Sequence, residues 1–204
     1  MFKLCKTLVL TGSLACGVAS AQTAVVYYSW FDNTDVSSID TKDIDVVTGA
    51  SLFAPGLVTQ VAQTVAETLS VQALPIVVQN PYPVDYDTCL DQVIEEKNRS
   101  FRPALSDKTE AALQAVRQAD TVYLGFPNWS YTLPPAVLTF VESLNWEGKT
   151  VIPFCVHGTG GLSGTIRALR KAADKAQVKA PLSLYREDVP QAGTQIRNWV
   201  ESQN

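Results

Sequence analysis

Apolar positions fall into two alternating patterns along this chain. Residues 24–29, 71–78, 121–126, 150–155 and 182–186 are short runs rich in β-branched and aromatic side chains. Their length and their bounding Gly, Pro and Asn residues predict strands. Between the first two runs, Leu57, Val61, Val65 and Leu69 recur at four-residue steps, which is one face of a helix. Further helices are expected over 85–98, 109–118, 134–144, 164–174 and 190–202. Pro134-Pro135 suits a first helical turn, and Pro75 places the second strand at a sheet edge. Residues 35–55, with Asp35, Asp40, Asp43 and Asp45, keep no period and read as a long insertion or irregular hairpin. Alternation of strand and helix implies a parallel sheet covered on both faces.

The first 21 residues follow a different pattern. Lys3 and Lys6 precede an apolar stretch, Leu8 to Val18, and Ala19-Ser20-Ala21 follows. This is the arrangement of a cleaved export signal, too short to span a bilayer as a stable helix. The expectation is a signal peptide over 1–21 and one domain over 22–204, exported to a periplasm or secreted. A lipoprotein signal with Cys16 as the lipidated residue ranks second, because Leu14 stands one place too late for the usual pattern. An N-terminal helix retained in the fold ranks last.

Composition narrows the function classes. Without Lys3 and Lys6, Lys+Arg falls from 16 to 14 against 20 Asp+Glu, a net charge of −6. No basic stretch suggests a nucleic acid or membrane-surface partner. Two cysteines, Cys89 and Cys155, remain after the leader. They could pair in an exported protein, but two distant cysteines define no disulfide framework. One histidine and two scattered cysteines make no metal-ligand set.

Two loops after strands carry the candidate chemistry. One is Gly125-Phe126-Pro127-Asn128-Trp129-Ser130-Tyr131. The other is Cys155-Val156-His157-Gly158-Thr159-Gly160-Gly161-Leu162-Ser163-Gly164. In an open parallel sheet, loops at the carboxyl ends of adjacent strands build the ligand crevice. An aromatic loop beside an uncharged, glycine-rich one suits a flat, ring-shaped ligand. His157 is the lone histidine and reads first as a structural hydrogen-bond partner, second as a contact to ring or substrate.

Four blocks, in this order and spacing, resemble the flavodoxin-like family, in its branch with a Pro-Tyr-Pro segment and a His-Gly-rich last loop. They are Tyr28-Ser29-Trp30-Phe31-Asp32-Asn33-Thr34; Pro81-Tyr82-Pro83 through Tyr86 to Glu96 and Arg102-Pro103; Leu124 to Trp129 with Leu133-Pro134; and Ile152 to Gly158. The resemblance covers about Ala24 to the end. It implies an α/β, doubly wound, five-stranded parallel sheet of order 2-1-3-4-5, helices on both faces, with FMN as cofactor. The first block is then the phosphate site, where hydroxyls and amides at a helix N-terminus receive a phosphate dianion. Ser29, Asn33 and Thr34 match. Asp32 stands where the family has glycine, and its carboxylate would repel phosphate if it pointed inward. The helix is delayed by the 35–56 insertion, so Gly56-Leu57-Val58-Thr59 stands at its start. Pro127, Asn128, Trp129, Ser130 and Tyr131 would flank the isoalloxazine ring, Trp129 and Tyr131 by stacking. His157, Gly158, Thr159, Gly160 and Gly161 would approach its polar edge. The implied role is electron transfer or flavin-dependent reduction, with a redox protein partner or a nicotinamide as donor. The alternative is a flavodoxin-fold interaction module that has lost FMN.

Other chemistries fit worse. Gly161-Leu162-Ser163-Gly164-Thr165 lacks the last glycine of a nucleophile elbow. Cys155 and His157 share a strand face, but Cys155 lies in an apolar run. The acidic helix around Glu95-Glu96 reads as a solvated face.

Overall fold

A computed structural model describes residues 22–37, 52 and 54–203. The expected leader and most of the expected insertion lie outside the described residues.

Five parallel strand positions form one sheet. Strand β1 (Thr23–Tyr27) lies between β2 (Ala73–Pro75) and β3 (Thr121–Pro127), and β3 pairs with β4 (Thr150–His157). The order is β2-β1-β3-β4-β5, so Pro75 does lie in an edge strand. The fifth position holds two short strands rather than one. β5 (Gln177–Val178) pairs with Thr150 and Val151, and β6 (Leu182–Tyr185) pairs with Phe154 to His157. Pro181 sits in the gap between them. Ile152 and Pro153 of β4 face that gap, so the N–H that Pro153 lacks is missing where the ladder is already interrupted.

Helices cover both faces. Helix α1 (Leu57–Leu69) buries Leu57, Val58, Val61, Ala62, Val65 and Ala66. With α6 (Gly193–Glu201) it covers the face that carries Val25, Tyr123 and Phe154. The other face, with Val26, Leu124 and Phe126, packs against α2 (Tyr86–Asn98), α3 (Glu110–Gln118), α4 (Pro135–Glu142) and α5 (Thr165–Ala172). Asp85 caps α2 by accepting from Thr88 N at 2.9 Å, which explains why that helix starts where it does. Gly125 is required by packing: a Cβ there would collide with the ring of Phe154 on the adjoining strand.

Three expectations need correction. β4 runs on to His157, so the last loop begins at Gly158. The closing helix starts at Gly193, after a 3-10 turn at Val189–Gln191. The acidic face of α2 is only partly solvated: Glu95 pairs with Arg99 at the surface, whereas Glu96 is buried. Glu96 accepts from Tyr82 Oη at 2.7 Å and Gln92 Nε2 at 2.9 Å, bonds that stabilise its charge inside the domain. Cys89 and Cys155 are both buried free thiols, not a disulfide.

Candidate functional site

A cleft of about 490 Å³ opens at the carboxyl ends of β3 and β4. That size is ordinary for a small-molecule or cofactor site. Pro127, Asn128, Trp129, Ser130 and Tyr131 line it from one loop, and His157, Gly158, Thr159 and Gly160 from the other.

The aromatic loop is a tight turn closed by Trp129 N to Thr132 O at 3.1 Å and Thr132 N to Trp129 O at 3.0 Å. Ser130 (φ 47°) and Tyr131 (φ 64°) are both left-handed, the backbone of a type I′ turn. Trp129 is anchored edge-on against Tyr82 (5.1 Å between centroids) and Tyr28 (5.3 Å). Tyr131 projects outward and is 72% exposed. The same turn therefore yields one fixed aromatic wall and one free aromatic surface.

The two loops are stapled together. Asn128 Nδ2 donates to Gly161 O at 2.6 Å, and Gly164 N donates to Tyr131 O at 3.0 Å. Gly160 lets the Tyr131 ring approach closely: a Cβ there would lie 3.2 Å from the ring and push it aside by a few tenths of an ångström. Gly161 itself supplies this staple rather than a lining surface. Because the loops meet each other, α2 supplies the opposing wall through Tyr86, Cys89, Leu90, Val93 and Ile94. Lys97 of α2 also donates to Ser130 O at 3.2 Å.

His157 is held in place. Its Nδ1 lies 2.8 Å from Gly158 O and its Nε2 2.8 Å from Ser183 Oγ. A carbonyl only accepts, so Nδ1 carries a proton and donates it to Gly158 O. Burial pushes the Cys89 and Cys155 thiols up to about 12, which removes them as nucleophiles at neutral pH. Among the described residues, Arg186, next after β6, is the one formally charged side chain lining the cleft. A Cβ on Gly158 would sit 3.7 Å from its Nη1.

Ser29, Asp32, Asn33 and Thr34 form a separate cluster after β1 and do not line the cleft. Asn33 is buried and structural: Nδ2 donates to Ser29 O (2.8 Å) and Ile76 O (2.9 Å), while Oδ1 accepts from Val78 N (2.8 Å). Thr34 Oγ1 donates to Tyr82 O at 2.6 Å. Asp32 points inward, accepting from Ser29 Oγ at 2.5 Å and Thr59 Oγ1 at 2.9 Å. Thr59 is in the first turn of α1, so the insertion does return the chain to this place.

Leu90, Ile94 and Arg186 were not singled out in the sequence, and Trp30 and Tyr86 were named only in the blocks that carry the resemblance, not as cleft residues. Tyr86, Leu90 and Ile94 do recur at four-residue steps, a stripe hidden by the surrounding acids. Arg186 had no local signal; only the pairing of β6 with β4 brings it to the cleft.

A family model described as flavodoxin matches residues 46–203. No curated protein matches the chain. Among solved structures, a protein assigned as a flavoprotein from Bacteroides eggerthii superposes with a TM-score of 0.64 at 21% identity, covering 90% of this chain and 98% of that one. A second, from Bacteroides uniformis, gives 0.60 at 24% identity, over 89% and 98%. A Lactobacillus acidophilus flavoprotein in complex with FMN gives 0.52 at 14% identity, over 84% and 98%. These likenesses establish a shared fold.

Proposed function

The chain belongs to the flavodoxin family, and on that footing we propose that it is an exported flavoprotein, binding FMN and acting in electron transfer or as a flavin-dependent reductase. One observation carries the reading: the cleft at the β3 and β4 ends combines an aromatic turn, a glycine-rich loop and the Arg186 guanidinium. Those are the groups a planar, electron-accepting heterocycle needs. The ring end of the site suits isoalloxazine. The phosphate end is already engaged by Asp32.

When bound, the flavin supplies hydride or single-electron transfer; the protein orients the ring and sets its electronics. Trp129 offers a packed wall and Tyr131 an exposed face. The Gly158, Thr159 and Gly160 amides offer donors to the polar edge, and Arg186 favours negative charge there. Apolar Leu90, Val93 and Ile94 exclude water from the opposite side. His157, through Ser183, ties the end of β4 to β6.

Export rests on Lys3, Lys6, the apolar stretch to Val18 and Ala19-Ser20-Ala21; it points to a periplasmic or secreted protein. Outside the cytoplasm a redox protein is a more accessible donor than a nicotinamide. An interaction module without FMN is the second reading, favoured by the Asp32–Ser29 bond. Titration of the full chain with FMN, followed by flavin fluorescence and absorbance, tests the proposal. Saturable quenching with a shifted flavin spectrum supports it, and an unchanged spectrum at excess flavin refutes it.

A further inference from the structure

Ser29, in the block that resembles the family's phosphate loop, and Thr59, in the first turn of α1, both bond to a carboxylate of the chain itself. Ser29 and Thr59 are buried, at 2% and 5% exposure. Ser29 Oγ donates to Asp32 Oδ2 at 2.5 Å, and Thr59 Oγ1 reaches the same oxygen at 2.9 Å. The two hydroxyls lie 3.1 Å apart, and Asp32 N donates back to Ser29 Oγ at 3.1 Å. Tyr27 also adjoins: its hydroxyl is pushed up to about 12, first by burial and then by the Asp32 charge.

The helix start explains why an anion sits here. Gly56 caps α1 without a side-chain bond, and the first turn of α1 holds no acidic residue. Unsatisfied N–H groups and the helix dipole favour negative charge at that end. Asp32, brought from β1 across the insertion, supplies it. Among the described residues no ion pair neutralises Asp32. A phosphate dianion entering this cluster would therefore meet a like charge at hydrogen-bond range.

We infer that Asp32 is a specificity-determining residue that occupies the anion subsite as an internal carboxylate, so that the protein recognises a flavin by its ring and gains nothing from a terminal phosphate. This rests on the flavin reading of the cleft. The ligand class is thus a ribityl flavin held by its ring, FMN included, with FMN bound no tighter than riboflavin.

The experiment titrates the full chain with riboflavin and with FMN, for the wild type and for Asp32→Asn, which keeps the acceptor and removes the charge. The wild type is expected to bind riboflavin at least as tightly as FMN. Asp32→Asn is expected to tighten FMN by about tenfold or more and to leave riboflavin nearly unchanged, because only FMN carries the opposing charge. A wild type that prefers FMN by about tenfold overturns the inference while leaving the flavin reading intact. So does an Asp32→Asn variant with unchanged or weaker FMN binding. Failure of both flavins to bind either protein overturns the flavin reading and the inference together. If the variant does not fold, the wild type alone decides: riboflavin bound at least as tightly as FMN supports the inference, and FMN bound more tightly overturns it.

Discussion

Tyr82 donates its hydroxyl to Glu96 Oε2 at 2.7 Å, joining the Pro-Tyr-Pro segment to α2 beneath Trp129. Both side chains are buried. Tyr82 also meets Trp129 edge-on, so the bond supports the aromatic wall of the cleft. Tyr82→Phe removes the stronger of two donors to a buried carboxylate. The expected loss is about 1.5–3 kcal/mol, the range for hydrogen bonds to charged groups. In a domain of this size that lowers Tm by about 2–4 °C per kcal/mol. Thermal unfolding of the variant checks it.

Trp129 and Tyr131 should separate cleanly under mutation. Trp129→Ala loses edge contacts with Tyr28, Tyr82 and Trp30, and is expected to cost stability by ~2 kcal/mol or more. Tyr131→Ala, on an exposed ring, should leave Tm within ~2 °C. It should weaken flavin binding by about three- to tenfold, the worth of one stacking contact. Urea unfolding and flavin titration on the same two variants distinguish these outcomes.

Gly125 tests the packing across β3 and β4. Gly125→Ala places a methyl against the ring of Phe154. Overpacking of that kind costs about 1–3 kcal/mol. Phe154→Leu in the same chain should recover part of the loss; the double-mutant cycle reads the coupling directly.

Alkaline pH should destabilise the fold through its buried thiols. Cys89 and Cys155 each rise from an ordinary value of 9.0 to about 12, mainly by burial. Below pH 9 both states hold the protons, so this stability is fully present. Between about pH 9 and pH 12 the unfolded chain releases protons that the native state retains, and stability falls as pH rises. Urea midpoints measured from pH 7 to pH 11 should decline. Replacing both cysteines with alanine should remove the decline between about pH 9 and 10, leaving the fall above it, to which the buried Tyr28 and Tyr82, pushed up by burial, contribute.

Arg186 should set the potential of a bound flavin. Its guanidinium lines the cleft, and positive charge favours the electron-rich form. Arg186→Gln is expected to lower the two-electron midpoint potential by roughly 30 mV, equivalent to ~1.4 kcal/mol. Arg186→Lys should recover part of it. Spectroelectrochemistry measures both.

Local pattern determined most of the architecture. The 57–69 helix was legible because Leu57, Val61, Val65 and Leu69 must share a face. The strand runs were legible because buried parallel strands are continuously apolar, and their alternation with helices limits the topology to few choices. The two site loops could be placed because ligands gather at the carboxyl ends of such strands. Three things were decided only by tertiary contact. Glu96 lies among acids in sequence, yet helix phase turns it toward Tyr82. Arg186 reaches the cleft only because β6 pairs with the far end of β4, beyond the break at Pro181. Asp32 looked like a substituted turn residue, and its meaning came from Thr59, 27 residues away. Sequence periodicity reports which face a residue takes on its own element. Which charge meets which hydroxyl depends on where separate elements are packed, and no local pattern carries that distance.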